Sequence, residues 1–156
     1  MNDPIAIFLK EHDDALLNLK KMKLVTAEIK KNGYLDKYSK TLDVAMDFIN
    51  EEVRVHNFKE ENALFPVIEK YVDGPTISLR DEHAKMFKIL KKIERSLSTL
   101  KDQPTDKIFR EEFCEASNEI VQLMVNHIHK ENQILFPLVK KFLSKEEMKK
   151  VFSKLI

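Results

Sequence analysis

The feature that most constrains this chain is a repeat with a period of 71 residues. The stretch VHNFKEENALFP at positions 55–66 returns as NHIHKENQILFP at positions 126–137. Both copies place a glutamate four residues after a histidine, and then Leu-Phe-Pro at the same distance. A repeat that keeps its register over so long a separation predicts two copies of one structural unit.

Four segments carry apolar residues at alternating steps of three and four, which is the pattern of a helix that faces a bundle core. The core-facing positions of the first segment are Ile5, Phe8, His12, Ala15, Leu19, Met22, Thr26 and Ile29. Those of the second are Leu42, Ala45, Ile49, Val53, His56, Glu60, Ala63 and Val67. Adding 71 to each position gives the stripes of the third and fourth segments: Thr76, Leu79, His83, Met86, Leu90, Ile93, Leu97, Leu100, and Phe113, Ala116, Ile120, Met124, His127, Glu131, Ile134, Leu138. The sequence therefore predicts one helical hairpin used twice.

Turn residues are sparse and separate these segments. The chain contains two glycines and 34% charged residues, a composition that favours helix over sheet. Gly33, Gly74 and Pro104 mark the ends of segments. We predict an all-α fold with helices over 4–31, 37–71, 75–101, 105–142 and, as a short C-terminal helix, about 145–156. By length, residues 1–156 are expected to form one domain, with repeat halves at about 4–71 and 75–142.

Composition also limits the partners. A net charge of +1 gives no reason to expect nucleic acid or an acidic membrane surface. The sequence shows neither a signal-peptide core nor an apolar run of membrane-spanning length. One cysteine, Cys114, excludes an internal disulfide and is typical of a reducing compartment, so we expect a cytoplasmic protein. The fifth helix, with Ser144 and Glu147 at capping-box spacing, either caps the bundle or pairs two chains, which leaves the oligomeric state open.

Ionisable residues interrupt the apolar stripes at six positions: His12, His56, Glu60, His83, His127 and Glu131. Taken singly, each histidine is explained as a hydrogen-bonded core residue, and the fifth histidine, His129, lies off the stripe. The glutamates are harder to explain, because burying an unpaired carboxylate costs several kcal/mol and two inward carboxylates repel each other. A cation removes both penalties. Imidazole nitrogen and carboxylate oxygen are ligands expected for iron, manganese or zinc.

The spacing of these residues favours two metal ions. A histidine and a glutamate four apart lie on one helix face, about 6 Å from each other, so both can reach one cluster. Four imidazoles and two carboxylates suit two ions that share both carboxylates and hold two histidines each. Sites of this kind are built in bundle cores from side chains on facing helices. We predict a dinuclear site, against the alternatives of a metal-free bundle or a structural zinc site.

At these residues the chain resembles the hemerythrin-like family, also called the HHE cation-binding domain. The resemblance rests on the four stripe histidines, on the motifs HNFKE and HIHKE that end in the two glutamates, and on Leu-Phe-Pro after each. It implies an up-down-up-down four-helix bundle with a non-haem di-iron centre that carries an oxo or hydroxo bridge. It also implies that each iron binds two histidines and that the two glutamates bridge the irons: His12 with His56, His83 with His127, and Glu60 with Glu131.

The pattern departs from that of the oxygen carriers in this family. Carriers have a further histidine four residues after the third-helix ligand, where this chain has Phe87, and an aspartate one residue further from the fourth-helix histidine, where it has Glu131. The pattern is instead similar to the di-iron domain of the iron–sulfur cluster repair proteins, to bacterial members that react with peroxide, and to an iron-sensing domain. Repair proteins usually carry an extra N-terminal cysteine-containing domain, which is not found before the first helix here, so the resemblance does not extend to a full repair function.

The resemblance implies a reactive centre rather than a saturated one. Each iron would have about four protein ligands of a usual six, which leaves room for O2, peroxide or nitric oxide. We expect a non-haem di-iron protein that binds or reacts with such a small oxygen or nitrogen species, with an electron donor as a further partner if it is an oxidoreductase. The alternative is a non-catalytic module that binds or senses iron or oxygen.

Residues around the predicted site differ between the halves. Ala15 and Ala63 correspond to Met86 and Ile134. This difference is explained by ordinary repacking or, alternatively, by a channel for a diatomic ligand on the side of the first half. Glu52, one turn before His56, is expected in solvent rather than against that imidazole.

Two further glutamates, Glu11 and Glu82, each precede a stripe histidine. Adjacent helical residues do not share a face. A role for them beside a ligand or at the entrance to the site stays open, but the spacing along their own helices does not support one.

Overall fold

Local capping explains where the first helix begins and ends. The computed structural model describes residues 2–156, and its helix α1 spans Pro4–Asn32. Asp3 accepts a hydrogen bond from the backbone N–H of Ile5 at 2.9 Å, as expected of an N-cap. At the other end, Gly33 adopts a φ of 77° and donates its N–H to the carbonyl of Ile29. Only glycine adopts this φ without strain, so the helix stops where the sequence predicted.

Four more helices follow. A 3₁₀ turn at Asp36–Tyr38 leads into α2, which covers 39–68; α3 is Pro75–Asp102, α4 covers 107–142, and α5 is Lys145–Ser153. Residues 2–156 contain no β-strand. The second helix is thus shorter than predicted at both ends, and the fourth begins at Lys107 rather than at 105, because Asp106 caps it by accepting from the N–H groups of Ile108 and Phe109.

Wide π turns interrupt α2 and α4 at equivalent places. They span Glu60–Leu64 and Glu131–Leu135, and each ends directly before a Phe-Pro pair. Proline within a helix has no N–H to donate and its ring collides with the carbonyl four residues earlier. A π turn accommodates it by widening the backbone at that point. A third π turn, Ile49–Val53, occurs in α2 and has no counterpart in α4.

Successive helices run antiparallel. His12 of α1 lies against His56 of α2, whereas Leu19, further along α1, lies near Ala45, earlier in α2. The pairs Thr26–Ser117 and His12–Asn132 show the same relation between α1 and α4. The fold is therefore an all-α, up-down-up-down four-helix bundle with a short C-terminal helix, as predicted.

The apolar core consists of two clusters. One contains Met22, Leu42, Leu90 and Phe113 among others and fills the end of the bundle towards the α1–α2 connection. The other contains Ile5, Phe65, Leu79 and Val139 among others and fills the opposite end. The ionisable stripe residues lie between these two clusters.

The predicted stripes are buried in α1 and α3 but fail near the ends of α2 and α4. All eight predicted positions in each of α1 and α3 are buried. Ile134, predicted to face the core, is 52% exposed, and Leu135 is buried instead. The π turn at Glu131–Leu135 contains an extra residue per turn, so it shifts the buried face by one position. Val67 is half-buried and Ile68 buried for the same reason in α2.

Helix α5 covers one end of its own bundle. Val151 is buried in the second apolar cluster, and the Tyr71 hydroxyl donates to Glu147 at 2.5 Å. Ser144 and Glu147 form the capping box that their spacing predicted. Over the described part of the chain, no helix combines the length and the apolar character needed to cross a bilayer.

Candidate metal centre

The six ionisable stripe residues converge at the middle of the bundle. They form two groups whose ligand atoms lie within 4.8 Å of one another: His12, His56, Glu60 and Glu131 in one, and Glu60, His83, His127 and Glu131 in the other. Both glutamates belong to both groups, and all six residues are buried. Four helices position the set, with one histidine each from α1 and α3 and a histidine–glutamate pair each from α2 and α4.

Within each group the Nε2 atoms face one another. The distance between the Nε2 atoms is 3.2 Å for His12 and His56, and 3.1 Å for His83 and His127. Glu131 joins the groups, because its Oε1 lies 2.9 Å from Nε2 of His127 and 3.4 Å from Nε2 of His12. Nitrogen lone pairs and carboxylate oxygens therefore point into one small volume.

The carboxylates of Glu60 and Glu131 are 0% exposed. Among residues 2–156, none of their four oxygens has a hydrogen-bond partner of acceptable geometry, although imidazole nitrogens approach them. Buried carboxylates without partners are strongly unfavourable in a protein interior. Cations between the carboxylates and imidazoles would satisfy these atoms, so the donor set fits a pair of metal ions.

Electrostatics support the same conclusion. Burial, followed by repulsion from Glu131, raises the pKa of Glu60 well above its usual range. Burial also acts to raise the pKa of Glu131, but contacts with Glu60, His12 and His127 outweigh it and hold that pKa well below its usual range. The pair thus resists carrying two negative charges alone. Burial, with the facing His127, lowers the pKa of His83, which favours the neutral imidazole that metals bind.

The outward nitrogens of the imidazoles face oxygen acceptors. Nδ1 of His12 lies 2.6 Å from Oδ1 of Asn132, and Nδ1 of His83 lies 2.7 Å from Oε1 of Glu61. A proton on Nδ1 that is donated to such an oxygen leaves the Nε2 lone pair directed at the centre. Sequence reasoning missed Glu61 and Asn132, although each follows a stripe glutamate directly.

Glu11 and Glu82 lie beside the other two histidines. Nδ1 of His56 lies 3.3 Å from Oε1 of Glu11, within hydrogen-bond distance, whereas Nδ1 of His127 lies 3.7 Å from Oε1 of Glu82 and has no hydrogen-bond partner among residues 2–156. Helical spacing gave no support for a role of these glutamates at the site, because it relates each one only to the histidine beside it. In the structure each carboxylate lies near the histidine of the neighbouring helix.

Two lysines hold these carboxylates in place. Nζ of Lys59 lies 3.0 Å from Oε2 of Glu11, and Nζ of Lys130 lies 2.8 Å from Oε1 of Glu82. Burial acts to raise the pKa of Glu11, but His56 and Lys59 outweigh it and lower that pKa. Glu52 is exposed, as expected.

The Leu-Phe-Pro motifs cover the imidazoles. The ring of Phe136 stacks on His12 with centroids 5.4 Å apart, and that of Phe65 stacks on His83 at 5.9 Å. Phe8 meets His56 edge-on at 5.4 Å. The phenylalanines of the two Leu-Phe-Pro motifs therefore pack against the imidazoles of His12 and His83.

A cavity of about 50 Å³ borders the centre on the side of the first half. Its inner wall includes His12, His56 and Glu131, and its apolar wall includes Ala15 and Met86. The exposed side chains of Asp14 and Glu52 lie where the lining reaches the surface. Ala63, the other small residue noted in the sequence, packs in the second apolar cluster and does not line the cavity.

Three residues discussed in the sequence lie outside the centre. His129 is exposed, as its position off the stripe predicts. Phe87 is half-buried, with the guanidinium of Arg54 4.1 Å from its ring centroid. Cys114 is a buried free cysteine whose thiol lies 3.8 Å from the carbonyl of Thr26.

Comparison with known proteins relates the chain to proteins named for iron–sulfur chemistry. No family model matches it. It is 26% identical over 137 residues to the iron-sulfur cluster repair protein YtfE of Escherichia coli (strain K12 / DH10B), an alignment that covers 84% of this chain and 62% of the relative. The proteins of the same name from Shigella boydii serotype 18 and Escherichia coli O139:H28 match with the same identity and coverage. The chain thus spans about 62% of the length of these curated relatives.

Proposed function

We propose that this chain is a non-haem di-iron protein that binds or reacts with a small oxygen or nitrogen species. The observation that carries the proposal is the pair of buried carboxylates, Glu60 and Glu131, shared by two groups that each contribute two histidines. Carboxylate oxygens without hydrogen-bond partners at the meeting point of four imidazoles are expected of a metal site. A structural core would not need them.

The proposed ligands follow from the two groups. His12 and His56 would hold one ion, His83 and His127 the other, and Glu60 and Glu131 would bridge them. Bound iron supplies redox chemistry and coordination positions that the protein does not fill. The carboxylates balance the positive charge of the ions, and the Nδ1 contacts fix the imidazole orientations.

The cavity supports a small ligand. Its volume of about 50 Å³ exceeds the roughly 10–15 Å³ that a cavity needs to hold one water molecule. O2, nitric oxide and peroxide are small enough for such a space. Ala15 and its counterpart Met86 both line it.

The comparisons support iron as the metal. The relatives are named for the repair of iron–sulfur clusters, and the motifs resemble those of the hemerythrin-like family, for which iron is the expected metal. Because this chain spans only part of those relatives, we propose that it provides a metal-binding unit like theirs. The proposal does not extend to the repair reaction of a whole relative.

Anaerobic reconstitution with ferrous iron tests the proposal. We expect two irons per chain by metal analysis, and optical spectra that change when O2, hydrogen peroxide or nitric oxide is added. Consumption of many equivalents of peroxide or nitric oxide would identify an oxidoreductase, whereas stoichiometric, reversible binding would identify a carrier or sensor. One iron or none per chain would contradict the proposed site, and spectra unaffected by all three species would contradict the proposed ligand class.

A further inference from the structure

The 71-residue repeat extends beyond the proposed ligands to the groups that contact them, with one exception. Glu11 and Lys59 correspond to Glu82 and Lys130, and each carboxylate lies between its lysine and an imidazole Nδ1. At the remaining pair of positions, the chemical groups that contact the imidazoles differ. The partner of His12 is the amide of Asn132, and that of His83 is the carboxylate of Glu61.

This exception changes the charge around one half of the centre. In ion pairs among residues 2–156, Lys59 neutralises Glu11 and Lys130 neutralises Glu82, whereas Glu61 contacts His83 and no lysine or arginine. Among these three carboxylates, Glu61 is thus the one without a lysine partner, and it belongs to the half of His83 and His127. A carboxylate that accepts from Nδ1 also makes Nε2 a stronger donor to a metal than a neutral amide does.

The other pair of contacts opposes this difference without cancelling it. Glu11 lies 3.3 Å from Nδ1 of His56, within hydrogen-bond distance, whereas Glu82 lies 3.7 Å from Nδ1 of His127, which has no hydrogen-bond partner among residues 2–156, and this favours the first half. At equal charge, that change in distance alters a Coulomb interaction by only about a tenth. The difference between the neutral amide of Asn132 and the carboxylate of Glu61 is a full unit of charge. The contact of Glu61 with His83, at 2.7 Å, therefore has the larger effect on the two halves.

We propose that Glu61 and Asn132 are positioning residues that make the two halves of the centre unequal, so that the ion at His83 and His127 is bound more tightly than the ion at His12 and His56. The inference rests on the proposed metal centre. It places the weaker-held ion beside the cavity, whose lining includes both His12 and His56 but only His127 of the other pair. The duplicated fold thus provides one strongly held ion and one that faces the incoming ligand.

Half-site variants test the inequality without interference between the ions. His56→Ala leaves the pair His83 and His127 intact, whereas His127→Ala leaves His12 and His56 intact. Titration of each with Zn²⁺ against a chromophoric chelator gives the affinity of the remaining site. We expect the His56→Ala variant to bind its ion about 10–100-fold more tightly, the usual effect of a partner hydrogen-bonded to a ligand.

Matched changes assign that difference to the two residues. Glu61→Gln, added to His56→Ala, is expected to lower the affinity about tenfold, and Asn132→Asp, added to His127→Ala, is expected to raise it. Circular dichroism and urea unfolding of the metal-free variants provide the control, since a purely structural role would change stability and leave the ratio of affinities unchanged. Equal affinities in the two half-site variants, or affinities that do not respond to these changes, would overturn the inference.

A second measurement keeps all four histidines. In the unaltered chain with one equivalent of Zn²⁺, the imidazole ¹⁵N signals of His83 and His127 should shift before those of His12 and His56, and Asn132→Asp should reduce that order. Simultaneous shifts of all four signals would overturn the inference even if a half-site variant failed to fold. Failure of the unaltered chain to bind two ions would instead contradict the proposed function, so the two failures are distinguishable.

Discussion

The two halves of this bundle, 4–71 and 75–142, agree at the centre and differ around it. The histidines, the glutamates, the stacked Phe65 and Phe136, and the π turns before the prolines all recur after 71 residues. Around them, the halves differ at several pairs of positions, among them Ala15 and Met86, Asn57 and Ile128, and Glu61 and Asn132. The π turn Ile49–Val53 occurs only in the first half.

This comparison separates the requirements of the site from those of its surroundings. Holding two ions between shared carboxylates requires equivalent ligands from both halves, so those residues match. Admitting a ligand requires an opening on only one side. The cavity is lined by Ala15 and Asn57 and also by their larger or apolar counterparts, Met86 and Ile128. The unequal residues of the two halves thus meet around the one space that borders the centre.

Removing both shared carboxylates should abolish metal binding in the two halves alike. The double change Glu60→Gln and Glu131→Gln is expected to reduce metal content from two ions per chain to none, because both groups lose their anionic ligands. The same change should stabilise the metal-free protein by about 1–3 kcal/mol, since it removes buried charges. Metal analysis and urea unfolding without metal measure the two effects. Retention of two ions would contradict the bridging role.

Removing one histidine from either half, in two separate variants, tests whether each half provides the same number of metal ligands. His56→Ala and His127→Ala are each expected to retain one ion of two, because each removes one of the two imidazoles of a single group. His129→Ala is the matched control, since its exposed side chain should leave both ions in place. If His129→Ala lost as much metal as His127→Ala, the assignment of ligands on α4 would be wrong.

The burial of the histidines and glutamates could be predicted from the sequence, because the spacing of residues in a helix determines which face of the helix each side chain occupies. His12 and His83 needed only an unbroken three-to-four pattern to be placed on buried faces, and the structure brings them to the same centre. Their assignment as metal ligands stays a prediction. Ile134 was wrongly predicted to face the core, because a π turn changes the relation between sequence spacing and side-chain direction. The proline that follows was the only sign of this turn in the sequence.

The contacts of Glu11 and Glu61 were not accessible in the same way. Each contacts a histidine on a neighbouring helix. The apolar periodicity of two helices does not determine how one is rotated relative to the other. The cavity could not be derived either. Ala15 indicated less volume on one side, but whether neighbouring side chains fill that space depends on packing throughout the core.

Exchanging Ala15 and Met86, which occupy equivalent positions of the repeat, should change how fast a small ligand reaches the metal centre. Ala15→Met gives the first half the residue of the second, and it is expected to slow nitric oxide binding to the iron-loaded protein by about tenfold or more while both ions remain. Met86→Ala, the matched change, should leave binding at least as fast, although loss of a buried methionine costs about 2–5 kcal/mol of stability. Stopped-flow spectra measure the rates. Equal rates in both variants and the unaltered protein would show that the cavity is not the route.

The smallest expected effect concerns the two lysines. Lys59→Met and Lys130→Met each remove an ion pair that is partly exposed to solvent, so each should lower the free energy of unfolding by about 1 kcal/mol or less. The two losses should also be similar, because the contacts are equivalent in the repeat. Urea unfolding of both variants checks this. A loss above about 2 kcal/mol in one variant alone would contradict equivalent roles.

X-ray absorption at the iron edge of the reconstituted protein tests the proposed di-iron centre most directly. We predict nitrogen and oxygen ligands, about two imidazoles per iron, and a clear iron–iron scattering component from two ions that share Glu60 and Glu131. We also predict that this component disappears in the His56→Ala variant, which retains a single iron. A spectrum of the unaltered, iron-loaded protein without a second iron in the scattering shell would contradict a carboxylate-bridged pair of ions.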